Sequence, residues 1–116
     1  ARTDARTSLG LDEALRRAEA YAEAGADILF VESPESEEEM RRACEAFDKP
    51  MLANMADGGK TPILTPKELS DMGFEIAIYG ISLLMHITRT MRETLADIAS
   101  RHAEFHEVDA LAAEGF

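Results

Sequence analysis

Short apolar runs alternate with amphipathic stretches along this chain, and the runs break off at polar residues or glycine. Ile28-Leu29-Phe30-Val31 stops at Glu32-Ser33-Pro34, Met51-Leu52-Ala53 stops at Asn54, and Phe74 to Tyr79 stops at Gly80. Such short continuous runs read as strands buried on both faces. Between them the apolar residues fall at helical spacing. Leu11, Ala14, Leu15, Ala18, Tyr21 and Ala22 share a face between Gly10 and Gly25, where Gly25 suits a C′ position. Ser36-x-x-Glu39 reads as a capping box opening a helix with Met40, Ala43, Cys44 and Phe47 on its apolar stripe. Thr65-Pro66-x-Glu68 starts a shorter helix that Met72-Gly73 closes, and Leu84, Ile87, Met91, Leu95 and Ile98 line a long one from about Ser82 to Ser100. Strands alternating with helices predict an α/β fold with a parallel sheet.

The repeat of roughly 25 residues matches one βα unit of a (β/α)8 barrel, and about three and a half units are present. An open flavodoxin-like sheet is the competing architecture, but no Gly-rich phosphate turn follows the first strand. The chain starts at Ala1-Arg2-Thr3-Asp4 inside what reads as a strand end, so its 116 residues read as part of a barrel. Residues 1–116 are expected to be a single segment, with 101–116 a helical tail carrying Phe105, Val108, Leu111 and Phe116. Lys and Arg total 12 against 23 Asp and Glu, a net charge of −11 that opposes nucleic-acid binding. Interspersed charges leave no apolar run of about 18 residues, so no membrane span is expected. A single cysteine and no secretory signal fit a cytoplasmic protein.

In parallel α/β folds ligands bind at the carboxyl ends of strands. Those ends carry Arg2 and Asp4, then Glu32, then Asn54, then Tyr79. A guanidinium, a carboxylate and an amide converging on one pocket suit a small carboxylate substrate, with Glu32 serving a proton or a metal. The blander alternative is that these residues only satisfy nearby backbone groups at loop starts. The loop Asp57-Gly58-Gly59-Lys60-Thr61-Pro62 offers glycines for close backbone approach and a cation in an acidic chain, or else a flexible connection with a solvated lysine. Cys44 reads as a small core hydrophobe, and His86, His102 and His106 as packing or surface residues. The six methionines read as core residues, and the acidic run Glu35 to Glu39 as a solvated helix start.

Several of these stretches carry a family likeness. Ala1-Arg2-Thr3-Asp4-Ala5, Gly10-Leu11-Asp12-Glu13-Ala14, Ala24 to Glu32, Leu52-Ala53-Asn54-Met55 and Gly58-Gly59-Lys60-Thr61-Pro62 together resemble the isocitrate lyase/phosphoenolpyruvate mutase superfamily. The resemblance covers residues 1 to about 100. It implies a (β/α)8 barrel of the TIM type, of which this chain would supply strand four through helix eight. It further implies Mg²⁺, and a homo-oligomer, a tetramer exchanging its last barrel helix. By motif, Arg2 resembles the arginine that grips a substrate carboxylate, Glu32 the glutamate near substrate and metal-bound water, and Asn54 a carboxylate-binding asparagine. Lys60 is expected to assist in substrate binding, with Asp4, Gly58, Gly59 and Thr61 behind it. No direct metal ligand is expected here, because the family's metal-binding aspartates and its Lys-Cys-Gly gating loop precede strand four, upstream of Ala1.

The implied activity is carbon–carbon lyase chemistry on a small 2-hydroxy or 2-oxo dicarboxylate, as in methylisocitrate lyase, dimethylmalate lyase or oxaloacetate decarboxylase-like members, through an enolate-type intermediate. Ala56 stands where methylisocitrate lyase-like members have Thr, and Met85 where they have a carboxylate-binding Arg after Tyr-Pro-Leu-Ser, here Tyr79-Gly80-Ile81-Ser82. Loss of a hydroxyl and a cation disfavours a tricarboxylate. One alternative is a phosphoenolpyruvate or carboxyphosphonoenolpyruvate phosphorylmutase. Another is an inactive half-barrel that self-associates through its open strand edges.

Overall fold

The computed structural model describes the backbone of residues 1–104 and the side chains of residues 1–101. Its elements run β1 (Arg2–Thr3), α1 (Ala5–Leu9), α2 (Leu11–Glu23), β2 (Phe30–Val31), α3 (Glu37–Glu45), β3 (Leu52–Asn54), α4 (Pro66–Met72), β4 (Ile76–Ile78) and α5 (Ser82–Glu104). Residues Ala1–Ser82 form one unit, and the residues from Leu83 onward form a second. The tail residues Phe105, Val108, Leu111 and Phe116, and the side chains of His102 and His106, lie outside the described residues.

In the first unit β1 pairs in parallel with β2 and β3 with β4. A parallel bridge between Leu29 and Met51 joins the two pairs. Leu29 donates its N–H to Pro50 and accepts from Leu52, each at 2.9 Å. Strand neighbours therefore follow chain order. A flavodoxin-like sheet would instead seat its first strand between the second and third.

The turn chemistry explains where the elements stop. Gly25 and Gly73 sit at φ of 98° and 110°, left-handed backbone that glycine adopts without a Cβ clash. At α4 the Thr65 hydroxyl accepts from Glu68 N–H while the Glu68 carboxylate reaches back to Thr65 N–H, a complete capping box behind Pro66 at the first turn. The Ser36 box is only half made: Ser36 accepts from Glu39 N–H, but the Glu39 carboxylate turns to Glu35 N–H and Arg6. Periodicity does not expose the extra helix α1, because its five residues make fewer than two turns.

Side chains along the strands alternate with period two. Thr3, Leu29, Val31, Met51, Ala53 and Met55 are buried against the helices, where Ala14, Ala18, Met40, Ala43 and Leu69 complete the core. Phe30, Leu52 and Ile76 face the other way and are only half-buried, while Ile28 and Ile78 are exposed. The strands are thus covered on one face within this unit, not on both as their continuous apolar runs suggest. Cys44 packs partly buried, 3.2 Å from where a Cβ on Gly73 would sit. Burial pushes its thiol up to about 12, which keeps it protonated and supports the hydrophobe reading. Met85 and Met91 depart from the core reading: both are exposed on α5, together with Leu84, Ile87, Leu95 and Ile98. His86 is exposed as well. Among the described residues no helix is long and apolar enough to cross a membrane.

Acid should weaken the first unit. Hydrogen bonds from Arg16 and Arg17 hold Glu13 down to about 2, and Arg6 lowers Glu39. Both carboxylates bind protons more readily when unfolded, so their contribution is present at neutral pH and lost as pH falls toward the folded value. The urea midpoint should drop progressively between about pH 5 and about pH 2. A midpoint that holds or rises over that range would contradict these pairings.

Candidate functional site

Register sets the rim of the sheet. Arg2 lies opposite Phe30, Thr3 opposite Val31, Leu29 opposite Met51, and Asn54 opposite Ile78. Counting one residue past Thr3 and three past Leu29 puts Asp4, Glu32 and Asn54 in one row. Glu32 N–H donates to Thr3 C=O at 3.0 Å, so the ladder still holds there. Period two then projects Arg2, Glu32 and Asn54 to the uncovered face rather than to the helices.

Arg2, one row earlier beside Phe30, brings a cation to this row through its side chain. It donates to Asp4 from Nη2 at 2.6 Å and from Nε at 3.1 Å, and its guanidinium carbon lies 5.0 Å from the Phe30 ring centroid. This pairing holds the Asp4 carboxyl below its ordinary range and strengthens the proton on Arg2. Arg2 Nη2 is also 3.4 Å from Glu32 Oε2, near enough for charge attraction but without hydrogen-bond geometry.

Glu32 is unusual among the acidic residues. Its side chain is 17% exposed, and Oε1 accepts the Ser33 hydroxyl at 3.1 Å. Oε2 is buried and has no hydrogen-bond donor. A buried carboxylate oxygen without a donor is costly, so this atom is poised to receive one from outside. Ser33 itself has φ of 58°. Next to it, a cavity of about 10 Å³ is lined by Phe30, Ser33, Pro34, Asn54 and Thr61 among others, room for about one water. Asn54 is half-buried, and a Cβ on Gly80 would sit 4.0 Å from its Oδ1.

The glycine loop is tied down at both ends. Asp57 accepts the Ser82 hydroxyl, Gly58 has φ of 78°, and a Cβ on Gly59 would meet Ala56 C=O at 3.0 Å. Lys60 pairs with Glu35 at 3.1 Å, and Arg6 pairs with the same carboxylate at 2.9 Å. Arg6 also grips Glu39 through two hydrogen bonds of 2.8 and 2.7 Å. The acidic run is therefore not a plain solvated helix start: Glu35 and Glu39 are neutralised by cations from α1 and the loop. The structure brings Asp4, Glu32 and Asn54 to one row, with Arg2 one row earlier on the same face, and Thr61 to the adjoining cavity. It sets Lys60 in a separate charge cluster.

Sequence reasoning missed Arg6 and Ser33. Only the Ser33-Pro34 pair hinted at an irregular turn. Among the described residues no group of three or more His, Cys, Asp or Glu could hold a metal ion. Glu32 Oε2 is open as an acceptor to a donor from outside these residues, such as a bound water.

A family profile described as phosphoenolpyruvate phosphomutase matches residues 1–99. The 2,3-dimethylmalate lyase of Eubacterium barkeri is 54% identical over 91 residues, covering 78% of this chain and 32% of that protein. The 2-methylisocitrate lyase of Bacillus subtilis is 50% identical over 84 residues, covering 72% of this chain and 28% of that protein. A crystal structure of oxaloacetate acetylhydrolase superposes with a TM-score of 0.81 at 35% identity, covering 84% of this chain and 35% of that one. The chain thus spans about a third of the length of the curated relatives it matches.

Proposed function

Because this chain belongs to the phosphoenolpyruvate phosphomutase family, within the isocitrate lyase/phosphoenolpyruvate mutase superfamily, we propose that it is part of a carbon–carbon lyase acting on a small 2-hydroxy or 2-oxo dicarboxylate. The observation that carries this reading is Glu32, with a buried oxygen lacking a donor, between the cation of Arg2 and the amide of Asn54. The likeness to two lyases at 54% and 50% identity favours bond cleavage over phosphoryl migration.

In this reading Arg2 and Asn54 bind substrate carboxylate oxygens by charge-assisted hydrogen bonds. Arg2 must then share its donors between Asp4 and substrate. Glu32 Oε2 accepts a proton or hydrogen bond from the substrate hydroxyl or from a bound water, which fixes the orientation of the scissile bond. Mg²⁺, when bound through ligands outside these residues, would stabilise the negative charge that develops on the substrate oxygens. The residues of this chain contribute orientation and one acceptor.

The fold reading belongs here too. The chain would be strand four through helix eight of a (β/α)8 barrel, and the uncovered sheet face with Phe30, Leu52 and Ile76 would be closed by the remaining strands. The exposed apolar residues of α5 suit a contact in a homo-oligomer, by exchange of that helix.

The test is product analysis on the full-length protein with Mg²⁺ and a panel of 2-hydroxy and 2-oxo dicarboxylates. Release of pyruvate- or glyoxylate-type products is the expected result. No turnover by well-folded protein would overturn the reading. A carbon–phosphorus bond appearing or vanishing in ³¹P NMR would assign it to the phosphorylmutases instead.

A further inference from the structure

Ser33 has the only positive φ at a non-glycine residue among the described residues, 58°. A side chain is disfavoured in left-handed backbone, and the following Pro34 restricts the residue further. Glycine would take this conformation without a Cβ clash. The retained side chain does one visible thing: its hydroxyl donates to Glu32 Oε1 at 3.1 Å. The companion oxygen, Oε2, is the buried atom with no donor, 3.4 Å from Arg2 Nη2.

We propose that Ser33 is a positioning residue for Glu32, its left-handed backbone and hydroxyl together holding one carboxylate oxygen so that the other stays free for a ligand. The turn aims the hydroxyl back at the preceding side chain. Without that bond the carboxylate is free to rotate, and Oε2 is no longer held in one place for a ligand. The catalytic part of this inference rests on the reading of Glu32 as the site carboxylate; the structural part does not.

The experiment compares Ser33→Gly and Ser33→Ala with wild type. In the 116-residue chain, ¹³C relaxation reads the order of the Glu32 side chain, with the exposed Glu37 as an internal reference, and urea unfolding reads stability. The expected result is that Glu32 order falls toward that of Glu37 in both variants, while Ser33→Gly unfolds at no lower urea than wild type. In the full-length protein, kcat should fall about tenfold in Ser33→Gly with KM changed less than about twofold. Unchanged Glu32 order in Ser33→Gly would overturn the proposal, as would a loss of stability with order retained, which is the mark of a merely structural residue. Should the full-length protein turn over none of the acids, the lyase reading fails, and the relaxation data still decide the role of Ser33.

Discussion

Glu32→Gln in the full-length protein should lower kcat by about 10²- to 10⁴-fold, the range by which a positioned acid or base accelerates proton transfer. The substitution keeps shape and the Ser33 contact, since the amide oxygen can take the place of Oε1 at 3.1 Å from that hydroxyl. It replaces the buried acceptor Oε2 with a donor, which faces Arg2 Nη2 at 3.4 Å without a charge to offset it. KM for the dicarboxylate should move far less than kcat, because Arg2 and Asn54 still bind the carboxylates. Steady-state kinetics decide the matter. Equal kcat in variant and wild type would remove Glu32 from the chemistry.

The second large effect concerns folding. Leu29→Ala should cost about 2–5 kcal/mol, the usual penalty for truncating a large buried side chain. Leu29 is fully buried at the bridge that joins β1–β2 to β3–β4, with hydrogen bonds to Pro50 and Leu52 on either side. A cavity there loosens both pairs together. Against a typical total of about 5–15 kcal/mol, the loss is large enough to show as a much lower urea midpoint. Ile28→Ala, one residue earlier on the uncovered face, should cost far less in the same chain because Ile28 is exposed. Similar losses at the two positions would contradict the one-sided burial of the sheet.

The neighbouring pair illustrates what could be read from sequence. Apolar runs ending at Glu32 and Asn54 located the strand ends, since a charged or amide group cannot extend a buried run without a partner. Thr65, Pro66, Glu68 and Gly73 likewise marked a helix start and stop through local hydrogen bonds and backbone freedom. Local chemistry is legible because its partners lie within a few residues. The charge cluster is different: Arg6 reaches Glu39 across 33 positions, so no spacing rule exposes it. Glu39, apparently half of a capping box, is drawn off by that distant cation. Lys60 is legible as a cation in an acidic loop, but its ion pair with Glu35, 25 positions away, is not.

Burial shows a second kind of gap. The run Ile28 to Val31 carries the signature of a strand covered on both sides, yet Phe30 is only half-buried and Ile28 exposed. Composition records what a strand needs in its complete surroundings, whereas the helices of this unit supply one layer. Met85 and Met91 have the same history, as apolar residues whose helix face is open. Ser33 was illegible for a third reason: serine has no general preference for left-handed backbone, so only its φ reveals the turn that aims it.

All of these threads meet where Arg2, Glu32 and Asn54 share the uncovered face at the strand ends, and oxalate is the simplest dicarboxylate probe of them. The decisive measurement is an NMR titration of the full-length protein with oxalate and Mg²⁺, following the Arg2 guanidinium, Asn54 amide and Glu32 carboxyl signals. The account predicts that all three move together along one saturable curve, with Lys60 unmoved. Saturable binding that leaves the three signals in place, or that shifts Lys60 alone, would contradict it.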